Sequence, residues 1–145
     1  MKINCAIVDD DPESVATLTD YIGQLSYLHL TGGYTDAVDA MKGFRDNTID
    51  LLFLGIRMQR LSGLELAKML PKTTKIVFVT AFTEYAIDGY KSGGFDYLLK
   101  PVSYNNFEAC VERIKNYMCD VEGADPIRRD GYMFVKSDYK YIRIN

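Results

Sequence analysis

Histidine occurs once in this 145-residue chain, at His29, and cysteine three times, at Cys5, Cys110 and Cys119. One histidine cannot furnish a histidine-rich metal centre, and it makes a His-based triad relay a poor reading. Three cysteines are an odd number, widely spaced and with no CxxC, which argues against a disulfide framework or a zinc site and fits a reducing compartment. No apolar run approaches the ~20 residues that a membrane-spanning helix needs. The opening MKINCAIVDDD also lacks the long apolar stretch and small-residue cleavage site of a signal peptide. These absences point to a cytoplasmic protein that does not engage a membrane. What is present is globular: 48% hydrophobic and 26% charged residues leave enough apolar surface for one sizeable core, so disorder is not the default.

The formal net charge of −3 hides an asymmetry. Residues 127–145 hold Arg128, Arg129, Lys136, Lys140 and Arg143 against Asp130 and Asp138, a net +3, so the first 126 residues carry −6. An acidic main domain is a poor partner for the DNA phosphate backbone, whereas the basic tail fits something that binds it.

Four apolar runs stand out: Cys5–Val8, Leu51–Leu54, Ile76–Val79 and Tyr97–Leu99. Each has strand length and continuous rather than alternating hydrophobicity, the pattern of a parallel strand buried on both faces. Between them Val15, Leu18, Ile22 and Leu25 follow a helical period, and Leu64, Ala67 and Leu70 repeat it after Ser62-Gly63. Phe107, Cys110, Val111, Ile114 and Met118 form the clearest stripe. A weaker strand at 28–31 and a short helix at 36–45 complete β-α alternation five times over. That alternation predicts an α/β, doubly wound parallel sheet with helices on both faces. Residues 1–119 form this domain. The segment 120–130, with Gly, Pro and charges but no apolar period, reads as a linker. In 131–145, Met133-Phe134-Val135 and Tyr141–Ile144 flank Ser137-Asp138 and resemble the opening hairpin of a second domain.

In an open α/β sheet, ligands bind beyond the carboxyl ends of the strands, where the strand order reverses. The first strand runs into Asp9-Asp10-Asp11, the third into Gly55, the fourth into Thr80-Ala81 and the fifth into Lys100-Pro101. Adjacent carboxylates attract Mg²⁺, and a lysine with a hydroxyl suits phosphoryl oxygens. Taken singly, an acid before a helix is as readily a cap, and Asp11-Pro12 fits that use. The edge as a whole suits a phosphoryl switch, an aspartate-dependent Mg²⁺ phosphohydrolase or a flavodoxin-like binding module.

IVDDDP at 7–12, LLFLGIRMQRLSGLELAK at 51–68, VFVTAFTEYAIDGYKSGGFDYLLKP at 77–101 and the closing amphipathic helix together resemble a bacterial response-regulator receiver domain over roughly residues 1–120. Tyr85-Ala86, the run ending in Lys100-Pro101 and the tail YMFVKSDYKYIRIN resemble receivers that precede a LytTR-type DNA-binding domain. The resemblance implies a flavodoxin-like (βα)5 fold with strand order 2-1-3-4-5. It makes Asp9 and Asp10 the Mg²⁺-holding pair, with the Arg57 carbonyl as a further ligand. It makes Thr80 and Lys100 the phosphoryl-sensing residues, Tyr97 the aromatic switch, and Lys100-Pro101 a cis peptide. It also implies a sensor histidine kinase as partner, DNA contact through the C-terminal domain rather than through this chain, no enzymatic activity, and a possible homodimer through residues 84–118, where Tyr85, Tyr90, Tyr97 and Tyr117 offer aromatic area.

The central position departs from the family pattern. Where the family carries the aspartate that accepts phosphate, this chain has Gly55, and Gln59 stands where proline is usual. A glycine cannot be phosphorylated, and the loss of a carboxylate predicts weak Mg²⁺ binding. Two readings stay open: a receiver that works without phosphorylation, or a change at one position of an otherwise ordinary receiver. No structural demand for a glycine is visible in the sequence. The alternative of another class, the phosphohydrolase built on the Asp9 cluster, would turn over a phosphate ester with Mg²⁺. It lacks a second acid after the third strand and any insertion to cover a substrate.

Overall fold

The computed structural model describes residues 2–56, 58, 62–81 and 96–123, with side chains as far as Cys119. The elements in chain order are β1 (Ile3–Val8), α1 (Pro12–Gly23), β2 (Leu28–Tyr34), α2 (Ala37–Phe44), β3 (Leu51–Gly55), α3 (Gly63–Met69), β4 (Lys75–Thr80), β5 (Asp96–Leu99) and α4 (Tyr104–Gly123). The strands form one sheet in the order β2-β1-β3-β4-β5, every neighbouring pair parallel. The expected doubly wound order 2-1-3-4-5 is therefore present. The chain clusters into two compact units, residues 1–110, which contain the whole sheet, and residues 111–145.

Alternation along the central strands assigns their side chains to two faces. Ala6 and Val8 of β1, Leu52 and Leu54 of β3, and Ile76 and Phe78 of β4 form one cluster with Ala37 and Ala40 of α2 and Leu66 and Ala67 of α3. On the opposite face Phe53 meets Phe107 of α4, ring centroids 5.4 Å apart, and Phe107 meets Tyr21 of α1 at the same distance. Both faces of β1 and β3 are thus covered, which is why their runs are continuously apolar. Cys5 lies in this interior, where burial first and the Asp50 charge second push its thiol up to about 12. Val111 and Ile114, farther along α4, are fully buried.

Three elements differ from the sequence expectation. Strand β2 runs on through Gly32-Gly33 to Tyr34, and its register against β1 shifts between Cys5 and Ala6. At an edge, backbone pairing sustains a strand where the hydrophobic signal has stopped. Helix α3 buries Leu66 and Ala67, while Leu64 and Leu70 are only half-buried, so its apolar stripe is phased differently from the one read. Helix α4 continues to Gly123, four residues past 119, because helix-compatible residues outlast the stripe. The rest of the linker at 124–130, the hairpin at 131–145, and Arg57, Gln59, Tyr85 and Tyr90 lie outside the described residues, as does most of the face at 84–118 that precedes β5.

Candidate functional site

The parallel arrangement brings four strand ends to one edge. Val8 pairs with Leu54, Gly55 with Val79, and Thr80 with Leu99, so Asp9, Gly55, Thr80 and Lys100 all emerge together. Two backbone bonds fasten the ends: Asp9 N donates to Tyr34 O at 3.0 Å, and Lys100 N donates to Thr80 O at 2.8 Å. The Lys100–Pro101 bond is cis, as the resemblance implies.

Asp9 is 1% exposed. Its Oδ1 accepts from the Asp11 amide at 3.0 Å. Its buried Oδ2 lies 3.0 Å from Lys100 Nζ in an ion pair. Burial pushes the Asp9 carboxyl above the usual carboxylate range, and the nearby Asp10 charge pushes the same way. The Asp11 amide and Lys100 act against them. Asp10 is exposed.

Asp11 is accounted for locally. It is the N-cap of α1, its Oδ1 accepting from Glu13 N at 3.1 Å and its Oδ2 from Ser14 Oγ at 3.2 Å, with Pro12 opening the helix. The third acid of the cluster is therefore spent on capping. His29 is exposed on β2, away from this edge.

Gly55 ends β3 beside the Asp9 carboxylate. A Cβ built there would lie 3.0 Å from Asp9 Cγ and Oδ2 and 3.3 Å from Oδ1, so the Asp9 carboxylate rests over the glycine. A side chain at this position would ask the Asp9 carboxylate to give by a few tenths of an ångström. The next corner is tighter. Gly63 N donates to Ile56 O at 2.8 Å, and a Cβ on Gly63 would stand 2.0 Å from Gly55 O. Ser62, one residue earlier, caps α3 through a reciprocal pair with Glu65, which holds this helix start against the end of β3. The Ser-x-x-Glu spacing could have revealed that cap, but nothing in the sequence marked the backbone contact.

Thr80 is buried at the end of β4, 4% exposed. Tyr97 is half-buried and packs against the cluster that contains Phe78. Among the described residues no three His, Cys, Asp or Glu side chains gather as a metal group. Two carboxylates remain at the edge, and one of them is paired with an ammonium. Mg²⁺ prefers several oxygen ligands in octahedral array, so these residues fit it poorly.

A family model, response regulator receiver domain, matches residues 5–112. The chain belongs to the receiver family. It is the receiver domain of a two-component response regulator. The receiver is 37% identical over 115 residues to an uncharacterized response regulatory protein of Shewanella oneidensis, covering 78% of this chain and 49% of that protein. It is equally similar to the transcriptional regulatory protein BtsR of Escherichia coli K12, covering 78% of this chain and 48% of BtsR. The chain thus spans about half the length of the curated relatives it matches. Among solved structures it resembles the response regulatory domain of mrkE from Klebsiella pneumoniae, with TM-score 0.73 and 27% identity over 79% of this chain and 97% of that one. A two-component response regulator from Clostridium difficile matches with TM-score 0.72 and 25% identity, over 81% of this chain and 98% of that one. No helix among the described residues is long and apolar enough to cross a membrane.

Proposed function

We propose that this receiver is the regulatory half of a LytTR-type transcriptional response regulator, and that its own site accepts no phosphoryl group. The observation that carries the second part is Gly55 at the end of β3, where the acceptor carboxylate belongs by resemblance and where no side chain exists. The first part draws on relatives named as transcriptional regulators and about twice as long, and on the resemblance of residues 131–145 to the start of a LytTR domain. In this reading Thr80, Lys100 and Tyr97 form the switch, and Asp9 and Asp10, with the Arg57 carbonyl, are a weak Mg²⁺ site. The sensor histidine kinase is the family partner, and DNA is bound by the C-terminal domain. The protein works in the cytoplasm.

No feature of the edge favours the phosphohydrolase. Such an enzyme attacks through a free carboxylate. Asp9 is buried, bonded through Oδ1 and paired through Oδ2, and Asp11 caps a helix.

The test is incubation with acetyl phosphate and Mg²⁺, read by intact mass. The mass should not change, whereas Gly55→Asp should gain one labile phosphoryl group. Phosphorylation of the unaltered chain at an aspartate would overturn the proposal.

A further inference from the structure

Lys100 follows the end of β5 and Asp9 the end of β1, with β3 and β4 between them in the sheet. The amide of Lys100 is tied back to the sheet, donating to Thr80 O at 2.8 Å. Beyond it the chain crosses residues 101–103 before α4 begins at Tyr104. A side chain from the far side of the sequence grips this crossing. Tyr21, near the end of α1, donates from its hydroxyl to Val102 O at 2.8 Å, across a separation of 81 residues. The Tyr21 ring is itself fixed, meeting the Tyr104 ring edge-on with centroids 5.4 Å apart and the Phe107 ring at the same distance. Ser103, next in the chain, is engaged at the start of α4, its Oγ accepting from Asn106 N at 3.1 Å.

We propose that Tyr21 is a positioning residue for Lys100, and that α1 is the strut that sets the Lys100 end of the edge against the acidic end. The inference rests on the receiver reading and deepens its account of the switch. Helix α1 grows directly out of the acidic loop: Asp11 caps it, and the Asp11 amide donates to Asp9 Oδ1 at 3.0 Å. The same helix carries the Tyr21 hydroxyl that holds Val102, two residues past Lys100. Three strand steps separate β1 from β5, and sheet twist accumulates at each of them. The tie through α1 reaches the Lys100 crossing without passing through those strands, so both ends of the edge are fastened to one rigid element. Deleting the tie removes a single neutral hydrogen bond, yet it acts on the placement of a charge that must meet a phosphoryl oxygen. A misplacement of about 1 Å at such a contact is able to cost up to ~100-fold in rate.

The experiment uses Tyr21→Phe, which removes the hydroxyl and keeps the ring against Tyr104 and Phe107. The control is Tyr104→Phe, which removes a hydroxyl that donates to Glu108 Oε2 of its own helix at 3.4 Å. Amide hydrogen exchange in the 145-residue chain is followed by nuclear magnetic resonance at Lys100, and at Phe53, which is fully buried in β3 and reports openings of the whole sheet. In Tyr21→Phe the Lys100 amide should exchange about fivefold faster relative to Phe53, the factor that one neutral hydrogen bond is worth. In Tyr104→Phe that ratio should match the unaltered chain. A merely structural role for Tyr21 would speed both amides together and leave the ratio where it was. In a second arm each substitution is added to Gly55→Asp, and the initial rate of phosphorylation by acetyl phosphate with Mg²⁺ is measured. Tyr21→Phe should slow it about fivefold or more, and Tyr104→Phe should not change it. An unchanged exchange ratio in Tyr21→Phe overturns the proposal, as does an equal phosphorylation rate in Gly55→Asp with and without it. If Gly55→Asp takes up no phosphoryl group, the receiver reading of the site fails, and the exchange ratio alone decides for or against Tyr21.

Discussion

Substituting Gly63→Ala tests whether the β3–α3 corner is as closed as its backbone contacts indicate. The new Cβ would meet Gly55 O at 2.0 Å, Gly55 C at 2.9 Å and the Ile56 Cα at 3.0 Å. All three are main-chain atoms of a buried strand end, so no rotamer change relieves the overlap. The start of α3 must retreat by about 1 Å, which stretches the Gly63 N to Ile56 O bond from 2.8 Å beyond useful range. Overpacking of this kind costs about 1–3 kcal/mol and a lost buried hydrogen bond about 1 kcal/mol more. Alanine returns about 0.4–1 kcal/mol by restricting the unfolded chain, leaving a net loss of about 1–3.5 kcal/mol. Gly23 at the end of α1 is the control: nothing lies within 4 Å of its Cβ position, so Gly23→Ala should be neutral or stabilising by a few tenths of a kcal/mol. Urea unfolding followed by far-ultraviolet circular dichroism reads both. A Gly63→Ala chain within about 0.5 kcal/mol of the unaltered one would refute the reasoning, since that is the range of ordinary surface substitutions.

Asp11→Ala should cost about 1 kcal/mol of unfolding free energy through loss of the α1 cap, while Mn²⁺ binding by Gly55→Asp stays the same with or without it. A drop in that binding would return Asp11 to the metal site. Ser62→Ala should cost a similar ~1 kcal/mol in the same denaturation assay, because it opens one half of the α3 capping box. For Asp9 the folded carboxyl titrates above its usual 3.8, so its contribution to stability is fully present below the unfolded value and is lost as pH rises through the folded one. The stability of the unaltered chain minus that of Asp9→Asn should therefore fall as pH rises from about 4, and a rise would contradict the burial argument. In a gel-shift titration this chain should give no salt-resistant, sequence-specific DNA complex.

The sheet was legible because its interior strands are buried on both faces. Ile7, Val8, Leu52, Phe53, Val77 and Phe78 spell uninterrupted apolar runs, and the turn from strand to helix after each run placed Asp9, Gly55, Thr80 and Lys100 at one edge. Helical period located α1 and α4, since Leu18, Ile22, Phe107 and Cys110 do fill the interior. The rest depended on contacts between residues remote in sequence. Pairing of Asp9 with Lys100 joins the ends of β1 and β5 and leaves no local signature. Which oxygen of Asp9 faces which partner is a matter of rotamer. The need for glycine at 63 arises from the Gly55 carbonyl, so it could not be read at that position. The end of β2 was lost for a different reason: Gly32 and Gly33 carry no hydrophobic signal, and main-chain pairing carries the strand through them to Tyr34.

The three thiols sit in unequal surroundings: Cys5 and Cys110 are buried, and Cys119 is exposed. Cys5 also donates to His29 O at 3.5 Å from inside β1, and with its thiol pushed up to about 12 almost no thiolate exists there at neutral pH. A disulfide reagent therefore counts one cysteine quickly in the folded chain and three in the unfolded one. The two slow reactions become a clock for openings of the interior. Run alongside the substitutions at positions 55 and 63, that clock distinguishes a site rearranged within an intact sheet from a sheet that has begun to come apart.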